Sequence, residues 1–421
     1  MSWDRALVGI VVLAPLVRLR RPGRDGGLLL GALFALAAWT TASWLWSASP
    51  ASALEEAQRV TLYAVVAAAV LLCRPRGAVA AVAGAAAVVA CWNLGAGGDA
   101  PVGYANALAL LCALGLVLLP SLPRRTWIAA VPLAVVLVQQ HSMGADVALV
   151  VGAVVYVLPR LRLVVVPLAI AALLAAPFVV GGHEREHYWR AAAREAQSQP
   201  VLGGGAGTFV NWWVRERDVP LQTDEAHSLY VETLAELGPL GLALVLAVFA
   251  IPLATARRPE LAAGVAVYAI GATLDFDWEL AAVTVPAIVV AALAVTHPRP
   301  RTLRTRVVLP AAAALAVAGL LAYAGSARLS AAQDAARRGD FARAQSDAKA
   351  ALRWQPYSPQ PWLVIGDVTH DASAYRRAVA LDPADWLLWQ RLASVESGRL
   401  RRLAEARAAQ LNPLGGGASG S

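Results

Sequence analysis

The side chains best suited to chemistry concentrate in one stretch, from His183 to Gly241, which is the longest polar interruption of a very apolar chain. This stretch contains several arginines and His227. An arginine guanidinium keeps its charge and can fork onto the oxygens of a phosphate group. A histidine titrates near neutrality and can take a proton from a reacting hydroxyl. These residue types suit the binding of an anion beside a proton transfer.

Each of the two leading candidates also has a purely structural interpretation. His227 could be a polar residue at the membrane interface, at the start of a helix capped by Asp224. Arg185 could be an arginine at the end of a span that touches lipid phosphate. An ionisable residue beside a membrane segment is nevertheless a functional candidate by default.

The other polar features of the stretch carry less information. His183 and His187 lack a third ligand at a set spacing, so they do not predict a metal site. The turn from Gly203 to Gly207 lacks the Lys-Ser/Thr pair of a phosphate loop and is predicted to be a tight turn. The remaining loop arginines are typical of a solvated basic face, although they could also contact a substrate; they are Arg190, Arg194, Arg215 and Arg217.

Composition indicates which elements position these residues. Of the 421 residues, 58% are hydrophobic and only 15% are charged, against about 25% charged residues in soluble domains. The chain is therefore predicted to be mostly membrane-embedded. The net charge of +8 comes almost wholly from arginines clustered between apolar runs, which is typical of membrane topology and not of nucleic-acid binding. The three cysteines lie in or beside apolar runs and form no disulfide framework.

A span needs about 20 mostly apolar residues. The apolar segments predict about twelve spans, near 5–19, 28–46, 59–73, 78–94, 104–120, 126–140, 145–158, 163–181, 226–254, 261–275, 280–296 and 307–325. Arginine-rich linkers alternate with acid-containing linkers along this series. The positive-inside rule places the arginine linkers in the cytoplasm, so the loop 182–225 and both termini are predicted to be external. Because backbone polar groups must be satisfied inside the bilayer, the spans form an all-α bundle.

The character of the chain changes after about residue 326, where charged residues and prolines return. Gly339-Asp340-Phe341, Ala344, Ala351 and Pro356 match the second half of a tetratricopeptide repeat. We therefore predict three parts: a transmembrane domain over 1–325, a small tetratricopeptide-like helical domain over 326–414, and a flexible tail over 415–421.

Four short motifs occur in register across the polar stretch. They are Arg185/Trp189 (R-x-x-x-W), Pro200/Gly203/Gly205/Phe209 (P-x-x-G-x-G-x-x-x-F), Ala226/His227/Ser228 (A-H-S) and Glu236/Gly238/Gly241 (E-x-G-x-x-G). Together they resemble the O-antigen ligase and polymerase family, membrane glycosyltransferases that use glycans linked to a polyprenyl diphosphate. Trp46-Ser47 with Pro50, and Gly103-Tyr104-Ala105-Asn106, resemble two further loops of that family, although both are equally typical of ordinary loops between helices.

The resemblance implies a metal-independent, cofactor-free enzyme in the cell membrane. It would move a glycan from a polyprenyl-diphosphate carrier to a glycan or lipid acceptor at the external face, in the manner of an O-antigen ligase. His227 and Arg185 would be catalytic, as the base and the diphosphate-binding group, and Arg190, Arg215 and Arg217 would bind diphosphate or glycan. Membrane lipids, and a protein at the repeat domain, would be partners. Nucleic acid would not.

One departure leaves alternatives open. The family often has S-R-G-[AG] at the outer end of a middle helix, and Met143 stands here where that arginine would be. Either another arginine serves, with Arg215 and Arg217 the nearest, or the donor is handled differently, or the protein is inactive. The alternatives to a ligase-like enzyme are a polymerase-type enzyme, a transporter of lipid-linked glycans and a non-catalytic scaffold. A transporter should show an internal repeat and charged or broken spans, and neither is clear.

Overall fold

The computed structural model describes residues 22–168, 170–171, 184–296 and 324–418. Within these ranges the regular secondary structure is helical, which confirms the predicted all-α class.

The helices of the apolar part that lie outside the loop 182–225 follow the predicted apolar segments closely, and two further helices lie inside that loop. In chain order, all of these helices are α1 (Arg24–Ala42), α2 (Pro50–Cys73), α3 (Ala78–Ala96), α4 (Ala105–Leu118), α5 (Ala130–Gln139), α6 (Met143–Val157), α7 (Glu184–Ser198), α8 (Phe209–Glu216), α9 (Leu229–Thr255), α10 (Pro259–Leu274) and α11 (Ala281–Ala294). The predicted segments 5–19, most of 163–181 and nearly all of 307–325 lie outside the described residues.

Several of these helices have the length and composition of membrane spans. Among the described residues, four are long and apolar enough to cross a bilayer: Arg24–Leu45, Pro50–Cys73, Ala78–Ala96 and Leu229–Thr255. Shorter apolar helices cover Ala105–Ser121, Met143–Val157, Pro259–Leu274 and Ala281–Ala294. The chain is therefore a helical membrane protein.

Small residues bring the helices of this bundle together. Gly152 of α6 packs against Ala263 and Val267 of α10, and Gly271 of α10 lies against Leu110 of α4. A side chain at either glycine would push neighbouring helices apart. Close backbone approach of this kind supports helix association where no hydrophobic force acts between spans.

The C-terminal part forms a second set of helices, which pack in chain order. After a helical stretch over 324–337 come α12 (Phe341–Leu352), α13 (Gln360–Thr369), α14 (Ala372–Leu381), α15 (Trp386–Val395) and α16 (Gly398–Leu411). Asp340, Asp371 and Asp385 cap α12, α14 and α15 with their carboxylates. Alanines at the helix contacts, such as Ala344 and Ala378, are fully buried.

These C-terminal helices rest directly on the apolar part. Trp386 packs on the cluster formed by α7 and α8. Polar contacts among the described residues join the two parts: Ser49 Oγ donates to Asp382 Oδ2 (2.5 Å), Gln58 Nε2 donates to Tyr357 OH (2.7 Å), and Arg217 Nη2 donates to Asn412 Oδ1 (3.0 Å). The C-terminal helices therefore lie against the start of α2 and the loop that follows α8.

Candidate functional site

Helix α7 presents three side chains of the R-x-x-x-W region on one face. Arg185, Tyr188 and Trp189 are spaced i, i+3 and i+4, so they lie together along the helix. Trp189 Nε1 donates to the carbonyl oxygen of Ala226 at 3.0 Å. The Tyr188 ring stacks on the imidazole of His227, with ring centroids 5.2 Å apart. Helix α7 therefore fixes the position of the histidine loop.

The backbone at His227 is held in an uncommon conformation. Its φ of +53° lies in the left-handed region, which costs a non-glycine residue about 1–2 kcal/mol. The next residue, Ser228, caps α9, its hydroxyl accepting from the Val231 amide at a long 3.5 Å. The Trp189 hydrogen bond and the helix start hold the strained residue on both sides. Such strain is typical of residues placed for function.

A single carboxylate, Asp275, joins the two leading candidates. His227 Nδ1 lies 3.3 Å from Asp275 Oδ1, and Arg185 Nη2 lies 4.0 Å from Asp275 Oδ2. The Asp275 side chain is only 7% exposed, whereas Arg185 is 31% exposed. The Arg185 separation is too long for a hydrogen bond, so its guanidinium remains open to another anion.

Two side chains at the start of α4 hold Asp275 in place. Tyr104 OH donates to Asp275 Oδ1 at 2.7 Å, and Asn106 Nδ2 donates to Asp275 Oδ2 at 2.6 Å. The Gly103–Asn106 loop is therefore part of the site.

Hydrogen bonds to backbone groups join the second motif, which contains the glycine turn, to the fourth motif, which begins at Glu236. Glu236 accepts from the amides of Gly207 and Phe209, both at 2.9 Å, and the Gly205 amide donates to the Glu236 carbonyl at 2.8 Å. A Cβ on Gly203 would collide with the backbone of Glu236, and one on Gly238 would collide with the carbonyl of Val201. The glycine turn is tight, as predicted, and these motifs build the support of the site.

The three arginines predicted to bind substrate lie apart from Asp275. Arg190 pairs with Glu186 (2.6 Å) and Asp218 (3.3 Å). Arg215 stacks on Trp212, with its guanidinium carbon 3.9 Å from the ring centroid.

Arg217 is buried and donates to Leu221 O and Asn412 Oδ1, so it serves the contact with the C-terminal helices. Met143, at the position where the family often has arginine, is 77% exposed at the start of α6.

Two other clusters of titratable side chains lie in the same part of the chain, a histidine–aspartate pair and a set of three glutamates. His187 Nδ1 is 2.7 Å from Asp218 Oδ1 on an exposed surface, and the adjacent His183 lies outside the described residues. Three carboxyl groups, of Glu225, Glu232 and Glu279, come within 4.8 Å of one another, close enough for their oxygens to share a cation. Arg59 already forms an ion pair with Glu279 at 2.8 Å. Burial and the neighbouring carboxylates raise the pKa of Glu225, which favours a shared proton there.

Sequence reasoning missed Asp275 as the centre of the site. It treated this residue only as one of the acids of an external linker. The available signal was its position immediately after an apolar helix, on the predicted external side shared with His227.

Comparison of the chain with protein-family models and with curated proteins finds no match.

Proposed function

We propose that the chain is an integral-membrane glycosyltransferase of the O-antigen ligase type. It transfers a glycan from a polyprenyl diphosphate to a glycan or lipid acceptor at the external face of the cell membrane. The observation that carries the proposal is the meeting of Arg185 and His227 at Asp275. Two motifs 42 residues apart thereby place an anion-binding group and a base side by side.

The proposed step is a displacement at the anomeric carbon of the donor glycan. The acceptor oxygen forms a bond to that carbon while its proton passes to His227. The bond from carbon to the phosphate oxygen breaks, and the diphosphate leaves with the electron pair. Because His227 Nδ1 faces Asp275, its Nε2 is the nitrogen left to accept the proton. Asp275 positions the ring and stabilises the imidazolium that forms.

Arg185 takes the leaving diphosphate in this scheme. Its guanidinium is partly exposed and faces the same carboxylate as the imidazole, so donor and acceptor would meet between the two side chains. A cation held in place before reaction lowers the barrier for a developing anion. No metal ion is needed for this charge stabilisation.

The proposal includes the full topology predicted from sequence. About twelve spans place the loop 182–225 and the tetratricopeptide-like C-terminal helices on the external side. The contact between Arg217 and Asn412 supports a shared side for these two regions, because it joins them directly.

The test compares donor binding with transfer in purified variants in one detergent. We expect His227→Ala to lower the rate of transfer about 10²–10⁴-fold and to leave binding of a non-reactive donor analogue unchanged. Arg185→Ala should weaken donor binding as well as transfer. Arg185→Lys should recover only part of both, because an ammonium group cannot fork onto two oxygens.

Matched controls come from the same helix. His187→Ala removes an imidazole that faces Asp218, and Arg194→Ala removes a guanidinium that pairs with Glu216. Both should retain donor binding and transfer. Wild-type transfer by His227→Ala would remove its role as base. Lost donor binding in His227→Ala with normal binding in Arg185→Ala would place His227 on the diphosphate instead.

A further inference from the structure

A groove of about 610 Å³ opens at the C-terminal end of the helical stack. Residues of helices α14, α15 and α16 line it. Apolar side chains line it, among them Val379, Trp389 and Leu392. Leu400 and Leu403 of α16 also line it and are 52% and 54% exposed. The last helix of the stack therefore leaves an apolar face open where, earlier in the stack, the next helix would cover it.

Positive charge surrounds this apolar groove. Arg376 lies on the α14 side and Arg407 on the α16 side. Helix α16 carries three further arginines and one acid; these are Arg399, Arg401, Arg402 and Glu405. Glu405 pairs with Arg401 and Glu396 pairs with Arg376. Within the described ranges, no acid forms an ion pair with Arg399 or Arg402. An occupant of the groove must therefore combine an apolar stripe with acidic flanks.

This chain is a poor source of such an occupant. Its net charge is +8, so a second copy would bring arginines toward arginines. The segments 1–21 and 297–323, which the structure does not describe, each contain more arginines than acids. Electrostatic complementarity therefore favours a different protein.

We propose that the groove binds an acidic amphipathic helix of a partner protein. Three helices line this groove, into which a further helix can pack by interdigitation of side chains. The partner helix would place apolar residues at i, i+3 or i+4, and i+7 on the leucines of α16. Glutamates or aspartates beside that stripe would face the arginines of α16, since Arg376 on the α14 side is already paired with Glu396. This binding is separate from the proposed transferase reaction.

The test uses the full chain in detergent and a labelled synthetic peptide of about 18 residues. The peptide carries leucines at helical spacing flanked by glutamates, and a second version replaces every glutamate with lysine. Fluorescence anisotropy should show saturable binding of the acidic peptide that weakens with salt, and at least tenfold weaker binding of the basic one. Leu403→Asp and Arg407→Glu should each weaken binding of the acidic peptide at least tenfold.

Phe341→Asp is the matched control, because Phe341 is 56% exposed and lies outside the groove. It places the same charge on the same domain and should bind the peptide like wild type. Thermal unfolding of each variant shows whether the domain is intact. If Leu403→Asp destabilises the domain, Arg407→Glu tests the groove instead; it replaces a half-buried side chain that donates to Gln410.

Three results would overturn the proposal. The first is wild-type affinity for the acidic peptide in groove variants that also unfold at the wild-type temperature. Short-chain phosphatidylglycerol below its micellar concentration could displace the peptide, which would make the site a lipid site. The chain could dimerise without peptide and become monomeric with Leu403→Asp, which would make the groove a self-association surface.

Discussion

Replacing Asp275 with asparagine tests whether one carboxylate organises the proposed site. In the wild-type protein Tyr104 OH and His227 Nδ1 face Oδ1, the Phe276 amide also donates to Oδ1 at 3.1 Å, and Asn106 Nδ2 donates to Oδ2. Asparagine offers one oxygen and one NH₂ group in the same volume. If the amide oxygen takes the Oδ1 position, the new NH₂ group takes the Oδ2 position. It then faces the NH₂ group of Asn106, which lies 2.6 Å from Oδ2 in the wild-type protein.

If the side-chain amide is turned the other way, the unfavourable contact is made with His227 and not with Asn106. The NH₂ group then faces His227 Nδ1, and the neutral imidazole must place its proton on Nε2. That tautomer has no lone pair at Nε2 for the acceptor hydroxyl. Loss of a general base costs about 10²–10⁴ in rate, which corresponds to about 2.7–5.4 kcal/mol at 1.36 kcal/mol per tenfold change. An unpaired buried donor should also cost about 1–3 kcal/mol of stability.

Donor binding by Asp275→Asn should not fall together with the rate of transfer. Asp275 lies 4.0 Å from the Arg185 guanidinium and competes with a diphosphate for it. Removal of the carboxylate charge should therefore leave the affinity for a donor analogue unchanged or increase it, while kcat falls. If Asp275 had only a structural role, its replacement would lower donor affinity and kcat together.

The assay measures kcat and KM for glycan transfer by Asp275→Asn, His227→Ala and the double variant. Because the two residues act as a unit, the double variant should be no slower than the slower single variant. Asp146→Asn is the control, since Asp146 is an exposed acid at the start of α6. Transfer by Asp275→Asn at the wild-type rate would refute the reasoning. A double variant whose loss equals the product of the two single losses would show that the residues act independently.

Three further predictions concern the support of the site. Gly203→Ala should lower thermal stability more than Gly77→Ala, since both have φ near +80° but only Gly203 lies against the backbone of α9; equal losses would contradict this. Burial raises the pKa of Asp382 from 3.8 to about 6. Its stabilising contribution is therefore complete below pH 3.8 and lost as pH rises through 6, a change of about 3 kcal/mol. Thermal unfolding of Asp382→Asn should lack that pH dependence, and the same slope as wild type would be inconsistent with it. In a cysteine-free background, Ser198→Cys and Ser394→Cys should both react with an impermeant thiol reagent in intact cells, and labelling of only one would break the proposed topology.

The features that sequence predicted are those set by local pattern. Apolar runs have the length of helices, so the helices of the described membrane part could be located without a structure. The tight turn at Gly203–Gly207 followed from its glycines. Arg185 and His227 were singled out because each belongs to a short motif with fixed spacing.

The features that sequence did not predict depend on contacts between distant segments. Asp275 lies 48 residues after His227, in a linker that also carries Asp277 and Glu279. Asp275 is the first of these acids after the apolar helix, but only helix packing decides which one faces the histidine. Arg217 was predicted to bind substrate, but its partner Asn412 is 195 residues away. Its burial follows from the docking of the C-terminal helices.

The motifs divide into two physical groups, and the division bears on the proposed function. Glu236, Gly203 and Gly238 satisfy backbone amides and allow close approach, so any protein with this loop architecture needs them, whether or not it is an enzyme. Arg185 and His227 support no backbone amide in this way: within the described residues the guanidinium makes no close hydrogen bond, and the imidazole contacts Asp275 and Tyr188 through its side chain. A scaffold that had lost its chemistry would need the first group only. The presence of Arg185 and His227 at one buried carboxylate is therefore the reason to favour an enzyme over a scaffold, even with Met143 in place of an arginine.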